Sequence, residues 1–207
     1  MTDKIYANGN KVLTDAEKTD KKAKLKELFS QMFDILEMDT INDPNIQDTP
    51  SRMAKMYVDE LLEGCFNEAP KITTFPNQKK FDELIISGPI KLDSLCSHHF
   101  ITISGQAFIG YIPGDKVIGI SKFSRIVRYF SRRPQIQEEL TQQIADYIEE
   151  LMQPKGLIVV LKARHYCEIA RGVREENIYM QTSSVKGVFK DNPAARKEFF
   201  DLISINK

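Results

Sequence analysis

The spacing of apolar residues changes period once, near Leu84, and this limits the possible folds more than any other feature of the chain. Before the change, Leu25, Leu28, Phe29, Met32, Phe33 and Leu36 recur three and four apart, which predicts an amphipathic helix. Asn42-Asp43-Pro44 interrupts it. Asp48-Thr49-Pro50 predicts a second helix start, with Asp48 as the capping side chain and a proline in the first turn. That helix is expected to bury Met53, Met56, Tyr57 and Leu61 and to end near Gly64. Beyond a connector at residues 69–80 the period moves toward two. Residues 84–92 and 100–112 are predicted strands, and Pro113-Gly114-Asp115 a turn after the second. Two helices follow. One covers residues 121–132, with Phe123, Ile126, Val127 and Phe130 inward. The other starts near Gln135 and carries Leu140, Ile144, Tyr147, Ile148 and Leu151 inward. Strands are then expected over 156–168 and 178–189, and a short helix over 192–203. The order ββααββ predicts an α+β fold, an antiparallel sheet with two helices packed on one face. Residues 1–20, polar and lysine-rich, are expected to be a flexible terminus. Residues 21–75 form the helical region and 76–207 the sheet domain.

Composition excludes more than it selects. At 207 residues and 42% hydrophobic, the chain can build one good core with a helical appendage. Lys plus Arg is 29 and Asp plus Glu is 29, so no global charge drives it toward nucleic acid or a membrane. No apolar run has the length of a membrane span, and residues 1–10 lack the apolar core of a signal peptide. The expected compartment is the cytoplasm. Cys65, Cys96 and Cys167 are an odd, small set, which argues against a disulfide framework. Cys65 has no nearby His or Cys and reads as a small hydrophobe.

The other two cysteines share two short segments with all three histidines of the chain. Cys96-Ser97-His98-His99 offers three possible metal ligands in four residues, and thiolate with imidazole suits zinc. The step from Cys96 to His99 is one that a tight turn converges on one ion. His165-Tyr166-Cys167 lies at the end of a predicted strand, where alternation puts His165 and Cys167 on one face, about 6.5 Å apart. A structural zinc site uses four protein ligands, whereas a catalytic one keeps three and leaves a place for water. Five candidates allow three ligands and two acid–base groups; the pattern alone does not divide them.

Basic residues cluster as well. Lys122, Arg125, Arg128, Arg132 and Arg133 fall within an arc of about 140° on a helix. Ser121 and its neighbours present backbone N–H groups at that helix start, which favours an anion. Arg52 and Lys55 share one side of their helix, and Arg171-Gly172-Val173-Arg174 follows the second metal cluster. Such residues, taken singly, are ordinary surface charges. Gln137-Glu138 opens the second long helix. A carboxylate there can accept from the N1–H and 2-amino edge of guanine, or simply complement the helix dipole.

Several blocks in register identify a family. Cys96-Ser97-His98-His99-Phe100, Tyr111-Ile112-Pro113, Val117 to Lys122, Phe130 to Glu138, His165-Tyr166-Cys167 and Ala170 to Arg174 resemble GTP cyclohydrolase I in order and spacing. Asp48 to Arg52 and Gly187 to Lys190 fit the same family, so that the resemblance spans residues 48–203. It implies a tunnelling-fold catalytic domain behind an N-terminal helical region. It also implies a toroidal homodecamer with active sites at subunit junctions. By resemblance, Cys96, His99 and Cys167 are the zinc ligands, and His98 and His165 the acid–base pair. Glu138 and Gln137 are the guanine-edge contacts. Arg52, Lys55, Ser121, Lys122, Arg125 and Arg171 hold the triphosphate, and Ser121 is also a candidate for a later proton transfer. The implied reaction opens the imidazole ring of GTP with water, releases formate and gives 7,8-dihydroneopterin triphosphate. Two departures stand out: Ser97 where the family commonly has glutamate, and Glu139 where an arginine is common. Related enzymes of the same fold fit less well. A pyruvoyl-tetrahydropterin synthase would bind zinc with three histidines, and a nitrile reductase would need a lone nucleophilic cysteine and NADPH. A structural zinc module would have no use for two extra histidines.

Overall fold

A capping box opens the first helix. The Thr14 amide donates to the Glu17 carboxylate at 2.7 Å, and the Glu17 amide donates back to the Thr14 hydroxyl at 3.3 Å. The helix α1 (Asp15–Ile35) therefore starts inside the segment expected to be a flexible terminus, and Leu13 just before it is buried. The signal was present as Thr14-x-x-Glu17. The computed structural model describes residues 4–204, so residues 1–3 of that expected terminus lie outside the described residues. The chain divides into two compact units, one ending at Glu68 and the other beginning at Ala69.

In the first unit, the apolar stripe of α1 is only partly used. Phe33 is buried and Phe29 stacks on Tyr57 at 5.7 Å, while Leu28, Met32 and Leu36 remain exposed. The later helical segment is broken into pieces: α2 (Thr49–Lys55), a π-helical turn (Met56–Leu61) and α3 (Glu63–Phe66). The Leu62 amide donates to the Tyr57 carbonyl, five residues back, which marks the widened turn. Asp48 does not cap α2 as expected. Its own backbone is helical, at φ −94° and ψ 0°, which turns its carboxylate away from the first-turn amides, and it pairs with Arg52 at 3.3 Å instead.

The second unit is mixed α+β. In chain order it contains β1 (Thr74–Pro76), β2 (Ile85–Cys96), β3 (Thr102–Ile112), β4 (Lys116–Ile118), α4 (Ile120–Ser131) and β5 (Pro134–Gln135). Then come α5 (Gln137–Met152), β6 (Gly156–His165), α6 (Tyr166–Ile169), β7 (Met180–Gly187), α7 (Val188–Asp191) and α8 (Pro193–Ser204). β1 and β4 pair with each other. The main sheet has the order β5-β2-β3-β6-β7. Its long pairs are antiparallel, but β5 joins the edge in parallel, with Leu95 opposite Pro134 and Cys96 opposite Gln135.

Alternation along the strands builds two cores, one on each face. Ile103, Ala107, Ile109 and Tyr111 of β3, with Leu157, Val159, Leu161 and Ala163 of β6, meet the inward residues of α4 and α5. On the opposite face, Ile158 and Val160 pack with Phe189 and Phe199. The two helices α4 and α5 share one face of the sheet, and the closing helix α8 covers part of the other. Gly110 makes room for it: a Cβ there would stand 2.5 Å from a ring carbon of Phe199.

Candidate metal centre and active site

Several strand ends converge at one end of the main sheet. β2 stops at Cys96, and residues 97–99 turn the chain back into β3. Phe100 closes this turn at φ 54°, its amide donating to the Cys96 carbonyl at 2.8 Å. The turn folds both histidines over the Cys96 thiol. Sγ lies 3.8 Å from His98 Nδ1 and 4.0 Å from His99 Nδ1. β6 ends at His165, opposite Ile103 near the start of β3, so the residues that follow emerge beside the same turn.

Cys167 arrives by a different route from the one its spacing suggests. The strand stops at His165, and Cys167 lies in the single helical turn α6 rather than two places along a strand. The Ala170 amide closes that turn onto the Tyr166 carbonyl at 2.9 Å. Donor atoms of Cys96, His99 and Cys167 all lie within 4.8 Å of one another, the one such group of His, Cys, Asp or Glu among the described residues. Tetrahedral bonds of N and S ligands place donors about 3.5–3.8 Å apart. Small side-chain rotations therefore suffice to close this set on an ion, and two sulfurs with an imidazole fit a borderline-soft metal. Burial pushes the Cys167 thiol above its ordinary pKa, and the neighbouring Cys96 sulfur adds to the rise. A cation between the two sulfurs acts in the opposite sense, because it stabilises thiolates.

The start of α5 reaches this end of the sheet through β5. The Ser97 amide donates to the Gln135 carbonyl at 3.3 Å, and α5 begins two residues later. Gln137 and Glu138 are neighbours with opposite surroundings. Glu138 is exposed. Gln137 is 1% exposed, and its Oε1 lies 2.9 Å from His165 Nε2. The Gln137 amide nitrogen is taken up by the Leu161 and Met180 carbonyls and the Thr182 hydroxyl. Every donor and acceptor of the Gln137 side chain is thus met inside the fold. Burial lowers the pKa of His165, while the charges of Glu138 and Glu168 oppose the shift.

A family model described as GTP cyclohydrolase I matches residues 25–204. The chain belongs to the GTP cyclohydrolase I family. GTP cyclohydrolase 1 of Yersinia enterocolitica is 42% identical over 187 residues, covering 90% of this chain and 84% of the relative. GTP cyclohydrolase 1 of Aeromonas salmonicida is 44% identical over 180 residues, covering 86% and 82%. Among solved structures, the apo form of the archaeosine synthase QueF-Like aligns at a TM-score of 0.39 and 16% identity, over 58% of this chain and 97% of that one.

The remaining candidates that resemble this family's contacts do not all share the metal end. Arg171 does, four residues beyond Cys167 on an exposed loop whose Arg174 amide donates to the Glu168 carbonyl at 2.9 Å. Ser121, Lys122 and Arg125 do not. They flank Phe123, which packs on Tyr111 at 5.6 Å. Tyr111 lies nine residues along β3 from Thr102, or about 30 Å of strand. α4 runs from there toward the metal end, where Ser94 Oγ donates to the Arg133 carbonyl at 3.1 Å. The expected basic arc is also shorter than its spacing implies. The helix stops at Ser131, and Arg133 is buried with its guanidinium 4.5 Å from the Tyr129 ring centroid. Arg52 and Lys55 are exposed on α2 in the first unit. Thr141 and Thr182, which support Gln137, were not singled out from sequence. The first carries a signal, since it stands one helical turn after Gln137.

Proposed function

We propose that this chain is a zinc-dependent GTP cyclohydrolase I. It opens the guanine imidazole ring of GTP with water, releases formate and rearranges the remainder to 7,8-dihydroneopterin triphosphate. The observation that carries this is the convergence of Cys96, His99 and Cys167 within 4.8 Å in a chain of this family. Three protein donors leave a tetrahedral position for water, the mark of a catalytic rather than a structural site. Bound zinc would supply Lewis acidity, which makes water acidic enough to react near neutral pH.

The chain's own groups do the rest. His98 and His165 move protons; one of them delivers a proton to N7 as the ring opens, because an unprotonated amidine nitrogen leaves poorly. Glu138 accepts from N1–H and the 2-amino group, which selects guanine. Arg52, Lys55, Lys122, Arg125 and Arg171 hold the triphosphate, with Ser121 at the α4 start donating to it and serving a later proton transfer. Ser121 and Lys122 stand at the start of α4, beside the Phe123–Tyr111 contact at the other end of β3 from the Cys96 turn, and Arg125 follows them on the same helix. That separation favours sites completed by a second copy, in a toroidal homodecamer of tunnelling-fold domains. No helix among the described residues is long and apolar enough to cross a membrane, and the reading places the enzyme in the cytoplasm.

The test is turnover of GTP, followed as pterin fluorescence after oxidation. Activity should vanish on chelation and return with zinc. A purified, zinc-loaded protein that yields neither formate nor a fluorescent pterin would sink the proposal.

A further inference from the structure

The hydrogen bonds beneath His165 leave little freedom about where their protons lie. Gln137 Nε2 stands 3.3 Å from the Leu161 carbonyl, 3.1 Å from the Met180 carbonyl and 3.0 Å from Thr182 Oγ1. Carbonyl oxygens only accept, so the amide nitrogen must face them and the amide oxygen must face His165. Turning the amide over would set its oxygen against two carbonyl oxygens in a buried place, where unpaired polar groups are costly. The hydroxyls agree with this orientation. Thr141 Oγ1 donates to the Gln137 carbonyl at 2.7 Å, which uses its single hydrogen. The 2.6 Å contact between the two threonine hydroxyls is therefore donated by Thr182, whose oxygen is left to accept from Gln137. The chain of donors runs one way, from the Gln137 amide through Thr182 and Thr141 back to the Gln137 backbone.

His165 sits at the open end of this chain. Its Nε2 is 2.9 Å from Gln137 Oε1, an oxygen that can only accept. We infer that Gln137 is a positioning residue that holds neutral His165 as the Nε2–H tautomer, leaving Nδ1 as the bare ring nitrogen. Both ends of the lock belong to the packed sheet unit. Gln137 is 1% exposed at the first turn of α5, and its acceptors come from β6 and β7. The part played by His165 in GTP turnover rests on the function proposed above, whereas its tautomer does not.

Protein labelled with 15N at histidine only and loaded with zinc would report the tautomer by solid-state NMR. The chain has just three histidines, and His165→Asn identifies the signals of the third. The expected spectrum has His165 protonated at Nε2 and bare at Nδ1. Gln137→Leu should mix the tautomers and lower kcat about 10–100-fold, the usual effect of removing such a support, with zinc content and KM for GTP little changed. Gln137→Glu in its protonated form keeps an acceptor opposite Nε2 and an O–H donor toward the Leu161 and Met180 carbonyls, and should restore the tautomer and part of kcat. A wild-type His165 protonated at Nδ1, or a Gln137→Leu spectrum identical to wild type, would overturn the inference. If Gln137→Leu does not fold, the wild-type spectrum alone decides. Nε2–H His165 without GTP turnover would sink the proposed function and uphold the lock; turnover with Nδ1–H His165 would do the reverse.

Discussion

Replacing Cys167 by alanine tests the metal centre most directly. The side chain is half-buried and lies in a four-residue helical turn, so its loss leaves a small gap and no broken backbone bond. What it removes is one of three donors gathered within 4.8 Å. Zinc sites with four protein ligands bind with about 10–16 kcal/mol of apparent free energy at neutral pH, or roughly 2.5–4 kcal/mol per ligand. At about 1.4 kcal/mol per tenfold, one lost ligand should weaken zinc by about two to three orders of magnitude. Competition with a chromophoric chelator measures this, and circular dichroism checks that the variant is folded. Cys65→Ala is the control, since Cys65 is buried with its Sγ 3.7 Å from the Ala7 carbonyl and is assigned no metal role. A folded Cys167→Ala that holds zinc within about threefold of wild type would refute the assignment.

Three further outcomes follow from the same geometry. His98→Ala and His165→Ala should retain zinc and lose about 10²–10⁴-fold in kcat, the range for a missing acid–base group; zinc lost in His98→Ala but kept in His99→Ala would show their roles exchanged. Glu138→Ala should weaken GTP and blur its discrimination from ATP, whereas Arg125→Ala should penalise GTP far more than guanosine; equal losses for both ligands in both variants would contradict the division. Co-expressing Cys167→Ala with Arg125→Ala should recover activity that neither variant has alone, with about a quarter of sites intact under random mixing, and no recovery would mean that each chain completes its own site.

The sheet unit was largely legible because its apolar residues keep strict periods. The inward residues of α4, Phe123, Ile126, Val127 and Phe130, are buried as their spacing requires. Ends were harder to read. Nothing in the run from Leu157 to Cys167 says that the strand stops at His165, since the turn is closed by the backbone of Tyr166 and Ala170. The Cys96-to-His99 step was readable because a short turn brings its ends together almost whatever the local sequence. Gln137 shows the limit of motif reading. Along a helix, adjacent residues are turned by about 100°, so Gln137 points into the sheet while Glu138 points to solvent, a difference the dipeptide itself does not display. The exposed stripe of α1 shows another limit, because periodicity reports amphipathicity and not what covers the apolar face.

One sheet end gathers the metal donors because three independent constraints meet there. The β2–β3 turn returns Cys96, His98 and His99 to one place. β3 fixes β6 by register, with Gly105 opposite Ala163 two residues before His165. A Cβ on residue 105 would stand 2.2 Å from the Lys162 carbonyl oxygen, so this close approach of strands requires glycine. β5 then ties the start of α5 to Cys96 through a two-residue parallel pairing, which sets Gln137 beneath His165. None of these constraints reaches the start of α4, whose place is fixed by Phe123 against Tyr111 at the other end of β3. The proposed metal ligands and the proposed phosphate contacts at the start of α4 are thus held by different packing contacts within one chain. A substitution that loosens one half need not disturb the other, and that independence is what allows mixing two inactive variants to report on how complete sites are formed.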